Sequence, residues 1–150
     1  MLGAVIPMTI KTYSELITIP TFIDRYRYLR LGGRVGEDTF GFDRYLNQAF
    51  YTSDEWRQIR DFVILRDTGH HDYCLDLGVE GHEIYGKILV HHMNPISKED
   101  IVKRSRYLLD PEYMISTIKN THDAIHYGDE SLLMIAPVER TPYDTCPWRL

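Results

Sequence analysis

The spacing of apolar and polar positions changes several times along the chain, and each change marks a predicted element. Phe22, Ile23, Tyr26 and Leu29 recur at helical spacing with Arg25, Arg27 and Arg30 between them. They predict a helix from Thr21 to Leu31, ended by Gly32-Gly33. A second helical stretch is expected from Asp43 to about Phe50. Thr52-Ser53-Asp54-Glu55 has the capping-box pattern, and Trp56, Ile59, Phe62 and Val63 follow on a helical period, so a third helix should run to about Arg66. From Tyr73 the period shortens to two. Residues 73–79 and 84–90 read as the strands of a hairpin turning at Glu80-Gly81-His82, with His91 and His92 at the end of the second strand, before Asn94-Pro95. Ser97 is placed to cap a short helix, and Met114 to Ile118 has strand propensity. Asn120 is placed to cap a last helix carrying His122 and His126, after which the chain turns irregular beyond Gly128. Segregated helices and strands of this kind belong to the α+β class.

Composition narrows the class without naming a function. The chain has 150 residues, 43% hydrophobic and 26% charged, which fits one globular domain and excludes a disordered or fibrous chain. No repeat or Pro/Gly/Ser-rich linker divides it. No apolar run approaches the about 20 residues that span a bilayer, so no membrane partner is expected. Met1 to Pro7 is apolar but short, has no basic residues and meets a proline, so it reads poorly as a signal peptide. Two cysteines, Cys74 and Cys146, make neither a disulfide framework nor a four-thiolate zinc site, and point to a reducing, cytoplasmic compartment. A net charge of −5 excludes a global basic field, so any contact with nucleic acid must rest on local patches. Three are available: Lys103, Arg104 and Arg106; Arg57, Arg60 and Arg66; and Arg25, Arg27, Arg30 and Arg34. Trp56, Phe62 and Tyr85 read most simply as core aromatics, Cys74 as a buried strand residue, and Cys146-Pro147-Trp148 as a packing anchor or partner contact.

Candidate chemistry lies in the seven histidines. His122 and His126 are four residues apart, so on a helix both imidazoles face one way and can reach one ion. His91 and His92 are adjacent on a strand and point to opposite sides, which suits two jobs: one as a ligand and one free to move a proton. Taken singly, a His-x-x-x-His or a His-His pair is often a coincidence, and His70-His71 in a polar turn reads as solvated loop. Their joint order carries more: strand, His-His, connection, strand, then His-x-x-x-His on a helix. Three imidazoles with an open coordination position suit metal-assisted hydrolysis.

These elements resemble a known family. Val90-His91-His92-Met93-Asn94-Pro95-Ile96, followed by His122-Asp123-Ala124-Ile125-His126, is similar to the HNH endonucleases, the ββα-metal nucleases, and to their bacteriophage members in particular. The segment from Phe50 to Asp67 is similar to the one that often precedes that core. The resemblance implies a ββα-metal core over residues 50–130, with additional N-terminal helices in an extension at 1–49 and a tail at 131–150. It implies His91, His122 and His126 as metal ligands and His92 as general base. The central Asn of the family, whose backbone carbonyl holds the base, has no counterpart; its place falls near Glu112 or Tyr113, and Glu112 could orient the imidazole. The Cys-x-x-Cys pairs of many relatives are also absent. The implied activity is hydrolysis of DNA phosphodiester bonds with a divalent cation. Imidazole ligands favour zinc, nickel, cobalt or manganese over magnesium, which remains open. Lys103, Arg104 and Arg106 are the nearest basic cluster for DNA. A phage terminase subunit is the implied protein partner and the host cytoplasm the implied location. The competing expectation is a non-catalytic, metal-stabilised module that binds the packaging machinery.

Overall fold

The computed structural model describes residues 10–31 and 44–133, with the side chains of 44–47 left aside. Side-chain caps set most helix starts. Thr12 accepts from the Glu15 N–H to open α1 (Tyr13–Leu16), and Thr21 accepts from the Asp24 N–H to open α2 (Phe22–Leu29). The latter helix ends two residues earlier than its pattern predicts, because Arg30 leaves helical geometry at ψ 137°. Leu31 then donates its N–H to the Ile125 carbonyl. α3 (Arg44–Tyr51) and α4 (Asp54–Arg66) follow the expected stretches. Ser53 rather than Thr52 caps α4, so its third helical residue is Trp56 and not Glu55, and the reciprocal half of the capping box is lost. α4 buries Trp56 and Val63, seven residues apart on one face, while Phe62 lies about 100° round the helix and is 56% exposed. The expectation of a core Phe62 is thereby corrected, as is that of Tyr85, which is 83% exposed in the loop leading to the sheet.

Among the described residues the sheet has two strands, and their pairing overturns the predicted hairpin. β1 (Leu89–His92) pairs antiparallel with β2 (Met114–Thr117), with Leu89 opposite Thr117, His91 opposite Ile115 and His92 opposite Met114. The 73–79 segment contributes only a single bridge, Leu75 to Glu83. Three interactions draw it elsewhere. Leu77 (φ 54°) and Gly78 (φ 69°) turn the chain into a 3₁₀ turn, Asp76–Gly78, and the Leu77 carbonyl accepts from Arg25 Nη1 at 2.8 Å. The Asp76 carboxylate meanwhile reaches α7 (Lys119–Tyr127), taking the Ile118 N–H at 3.3 Å and the Thr121 hydroxyl at 2.6 Å. Asn120, expected as the cap of α7, lies inside its first turn, and the N-cap position is Ile118.

Between the strands run α5 (Lys98–Lys103), opened by a complete capping box of Ser97 and Asp100, then α6 (Arg106–Leu109) and a 3₁₀ turn at Pro111–Tyr113. The outer edge of β2 is covered by the end of α4. Asp67 Oδ2 accepts the Ser116 N–H at 2.8 Å, and Arg66 donates to the carbonyls of Pro111 and Met114 at 2.7 and 2.6 Å. Side chains alternate across the sheet, so its faces enter different cores. Ile115 packs with Leu16, Tyr26, Leu29, Ala124 and Ile125 of α1, α2 and α7. Met114 packs with Phe50, Trp56, Val63 and Leu108 of α3, α4 and α6. His91 shares the first face and His92 the second. Among the described residues no helix is long and apolar enough to cross a membrane. The architecture is a mixture of helices around a small two-stranded sheet, within the α+β class expected.

Candidate metal centre

α7 lies on the His91 face of the sheet through Ala124 and Ile125, which are fully buried. Its C-terminal end is fixed by Gly128 in the left-handed region (φ 66°), where a Cβ would come 2.4 Å from the Leu31 carbonyl oxygen. This placement turns His122 and His126 toward the end of β1. Ring centroids are 5.3 Å apart for His91 and His122, 5.0 Å for His91 and His126, and 4.2 Å for His122 and His126. One nitrogen from each imidazole lies within 4.8 Å of the other two. The three residues expected to share a site are therefore brought together, His91 buried and the helix pair half-buried.

The donor set fits a divalent cation. All three rings favour the neutral form: burial, then the neighbouring histidines, holds His91 well below the usual imidazole range. Burial, then His122, pulls His126 down to about 4, and burial lowers His122. Neutral imidazoles have lone pairs to give. Nε2 of His91 is buried and has no hydrogen-bond partner among the described residues, a cost of about 1–3 kcal/mol that a ligand would remove. Nε2 of His122 and Nε2 of His126 lie 3.0 Å apart. That is about the separation of two nitrogens each bound near 2.1 Å from one cation. Asp123, held by Lys119 at 2.7 Å, lies 3.7 Å from Nδ1 of His122 and can steady that ring. The sequence motif contains Asp123, yet its residue type alone gave it no role.

His92 occupies a separate, buried setting. Its ring stacks on Trp56 at 5.3 Å and meets the edge of Tyr51 at 6.0 Å. Nε2 is 3.0 Å from the Leu108 carbonyl and Nδ1 is 3.2 Å from the Tyr51 hydroxyl. A carbonyl only accepts, so Nε2 carries the proton, and Nδ1 accepts from Tyr51. Desolvation supports both assignments, pushing the Tyr51 pKa up to about 12 and drawing that of His92 down to about 4. The group that holds the imidazole is thus a backbone carbonyl on α6, which no side-chain pattern could announce. Glu112 was the residue expected to orient it; instead, Glu112 sits on the 3₁₀ turn before β2 with its N–H donated to Asp110 Oδ1 at 2.9 Å.

The basic patches are more engaged than their sequence implies. Lys103 pairs with Glu99 and Arg104 with Glu55, both at the surface, while Arg106 is exposed and lies 5.4 Å over the Tyr107 ring. Exposed pairs of this kind are worth little and can exchange for phosphate. In the other two patches Arg25, Arg60 and Arg66 are tied to backbone carbonyls, while Arg27 and Arg57 make exposed pairs of the same exchangeable kind. Arg25 is buried against the carbonyls of Ile17, Ile19 and Leu77, Arg27 pairs with Glu130, Arg57 pairs with Asp54, and Arg60 donates to the Ile88 carbonyl. Arg34 and Cys146 to Trp148 lie outside the described residues. His71 pairs with Glu80 at 2.7 Å and stacks on Tyr73, and His70 is exposed, so that dipeptide takes no part in the centre. Cys74 is buried, as expected, but lies outside any strand. The chain matches no family model, no curated protein and no solved structure.

Proposed function

We propose that the chain is a metal-dependent endonuclease of HNH type that hydrolyses DNA phosphodiester bonds. The observation that carries this reading is the convergence of His91, at the end of one strand, with His122 and His126 on a helix that follows the second strand. The order β1, β2, α7 with ligands from the first and third elements is the order of a ββα-metal core. A cation held there would polarise a phosphate oxygen and stabilise the leaving oxygen. The residues of the chain do the rest. His92, neutral at physiological pH, is the base. The Leu108 carbonyl fixes its ring and tautomer, taking the place that the family gives to the central Asn carbonyl. Lys103, Arg104 and Arg106 lie on the same connection as Leu108 and offer phosphate contacts once Glu99 and Glu55 are displaced. The net charge of −5 accords with DNA delivered by a partner, for which a phage terminase subunit in the host cytoplasm is the proposal.

One observation favours a second reading, a non-catalytic metal-stabilised module. The Nδ1 lone pair of His92 is already taken by Tyr51, on the sheet face opposite the three ligands. For catalysis Tyr51 must move so that water reaches Nδ1. Single-turnover plasmid nicking with EDTA, magnesium, manganese, nickel and zinc, beside calorimetric metal titration, separates the readings. His92→Ala should lower nicking by about 10²–10⁴-fold with metal affinity nearly intact. His91→Ala or His122→Ala should weaken metal binding, with partial rescue by excess metal. His126→Ala should be milder. With the His92 pKa near 4, the rate should not rise between pH 6 and 8 through this group. Metal binding without nicking under any condition would leave the module reading.

A further inference from the structure

We propose that Lys11 completes the histidine centre as an anion-binding residue, its ammonium placed to hold a phosphate oxygen of whatever ligand shares the site with the metal. The proposal rests on the metal reading of His91, His122 and His126, and not on DNA cleavage. Its backbone is clamped to the end of β1. The Lys11 N–H donates to Asn94 Oδ1 at 2.8 Å, and Asn94 Nδ2 donates back to the Lys11 carbonyl at 3.0 Å. Asn94 is buried and follows His91 by three residues, so this reciprocal pair ties the segment before α1 to the strand that carries the first ligand. The side chain then runs to the C-terminal end of α2, where Nζ reaches the Leu29 carbonyl at 3.4 Å. That helix packs on α7: the Tyr26 hydroxyl donates to the Ala124 carbonyl and the Leu31 N–H to the Ile125 carbonyl, both between His122 and His126. Lys11 therefore ties the strand that carries the first ligand to the end of a helix packed on α7, and its charge acts on His91.

Among the described residues no carboxylate pairs with that charge. Burial lowers the pKa of Lys11, and the Leu29 carbonyl at 3.4 Å is a long contact for an ammonium. A fixed positive charge beside a cation site opposes metal binding when nothing else is present. The arrangement becomes favourable when an anion bridges the two charges. Lysine serves this purpose as a compact point charge for phosphate. The ligand chemistry is that of a non-bridging phosphate oxygen, whether from inorganic phosphate or from a phosphodiester.

The test uses the full chain with Lys11→Met, which keeps the apolar stem, and Lys11→Arg, which keeps the charge. Calorimetry reads zinc or nickel binding to each protein alone, then the binding of inorganic phosphate and of a short DNA duplex to the metal-loaded forms. Lys11→Met should bind metal as tightly as the native protein or more so, and lose about tenfold or more in phosphate affinity. Lys11→Arg should retain most of it. Loss of phosphate but not duplex binding assigns the residue to small anions, and loss of both to phosphodiesters as well; either supports it. Unchanged phosphate affinity in Lys11→Met overturns the proposal, as does a parallel fall in metal affinity and melting temperature, which marks a purely structural clamp. A native protein that takes up no metal removes the reading beneath it, an outcome distinct from both.

Discussion

Replacing Asp76 by asparagine should stabilise the protein at pH 8 and leave it nearly unchanged near pH 4. The carboxyl is 4% exposed, and desolvation raises its pKa to about 7 against an ordinary 3.8, despite the hydrogen bonds from Thr121 and Ile118 that favour the anion. The folded state therefore holds this proton more tightly than the unfolded one. The group's contribution to stability is complete below about pH 3.8 and is lost as pH rises through 7. A shift of about three units corresponds to about 4 kcal/mol. The positive end of α7 favours the anion by about 0.3–2 kcal/mol, leaving an expected gain of about 2–4 kcal/mol for the asparagine at pH 8. Asparagine keeps an acceptor for the Ile118 N–H and can donate to the Thr121 hydroxyl, so α7 stays anchored. His92 runs the other way: its pKa lies near 4 in the fold against 6.5, so it removes stability as pH falls through that window. The difference between native and Asp76→Asn proteins cancels this histidine contribution. Urea denaturation from pH 4 to 8 in EDTA gives that difference. Parallel curves, or an asparagine variant less stable at pH 8, would refute the reasoning, since either means that the fold accommodates the anion.

Two further substitutions test the remaining anchors. Tyr51→Phe removes the donor to Nδ1 of His92, and should cost about 1 kcal/mol while leaving nicking equal or faster, because the hydroxyl competes with water for that lone pair; a nicking rate that collapses would show Tyr51 to be required rather than obstructive. Gly128→Ala forces a Cβ into the Leu31 carbonyl and a left-handed φ on alanine, and should cost about 2 kcal/mol or more together with weaker metal binding, as α7 shifts off the sheet; an unchanged denaturation midpoint would contradict that placement.

Features written into local sequence were legible, and features made by distant contacts were not. Ser97 and Asp100 announce α5 because both halves of the capping box lie within four residues. The two histidines on α7 announce a shared face through spacing alone, and strand alternation separates His91 from His92 without reference to a partner. The failed hairpin shows the limit. Alternation predicts that a segment can be a strand but not what it pairs with, and 73–79 is drawn off by Arg25, 52 positions from Leu77, and by Thr121, 45 positions from Asp76. The same holds for the start of α7, where Asp76 takes the Ile118 N–H and the Thr121 hydroxyl while Asn120 lies inside the first turn. Leu108 is illegible for another reason. Its contribution to the site is a carbonyl, which every residue possesses, so only the fold can select it.

The division of labour between His91 and His92 depends on strand register, and the register depends on residues that touch neither histidine. A one-residue slip of β1 against β2 would exchange the faces, presenting His92 to α7 and driving His91 against Trp56. Two short strands, the only ones in the sheet among the described residues, hold register weakly by themselves. Here it is pinned from outside. Asp67, with its side chain fully buried, takes the Ser116 N–H on the free edge of β2, and Arg66, paired with Asp67 at 2.9 Å, takes the carbonyls of Pro111 and Met114. The Met93 N–H donates to the Tyr113 carbonyl at 2.8 Å, closing the pairing just beyond His92. Arg66 and Asp67 thus stand at the end of α4 as the group that fixes which imidazole meets the other ligands. A basic residue that sequence alone offers equally to DNA has a structural task upstream of the chemistry.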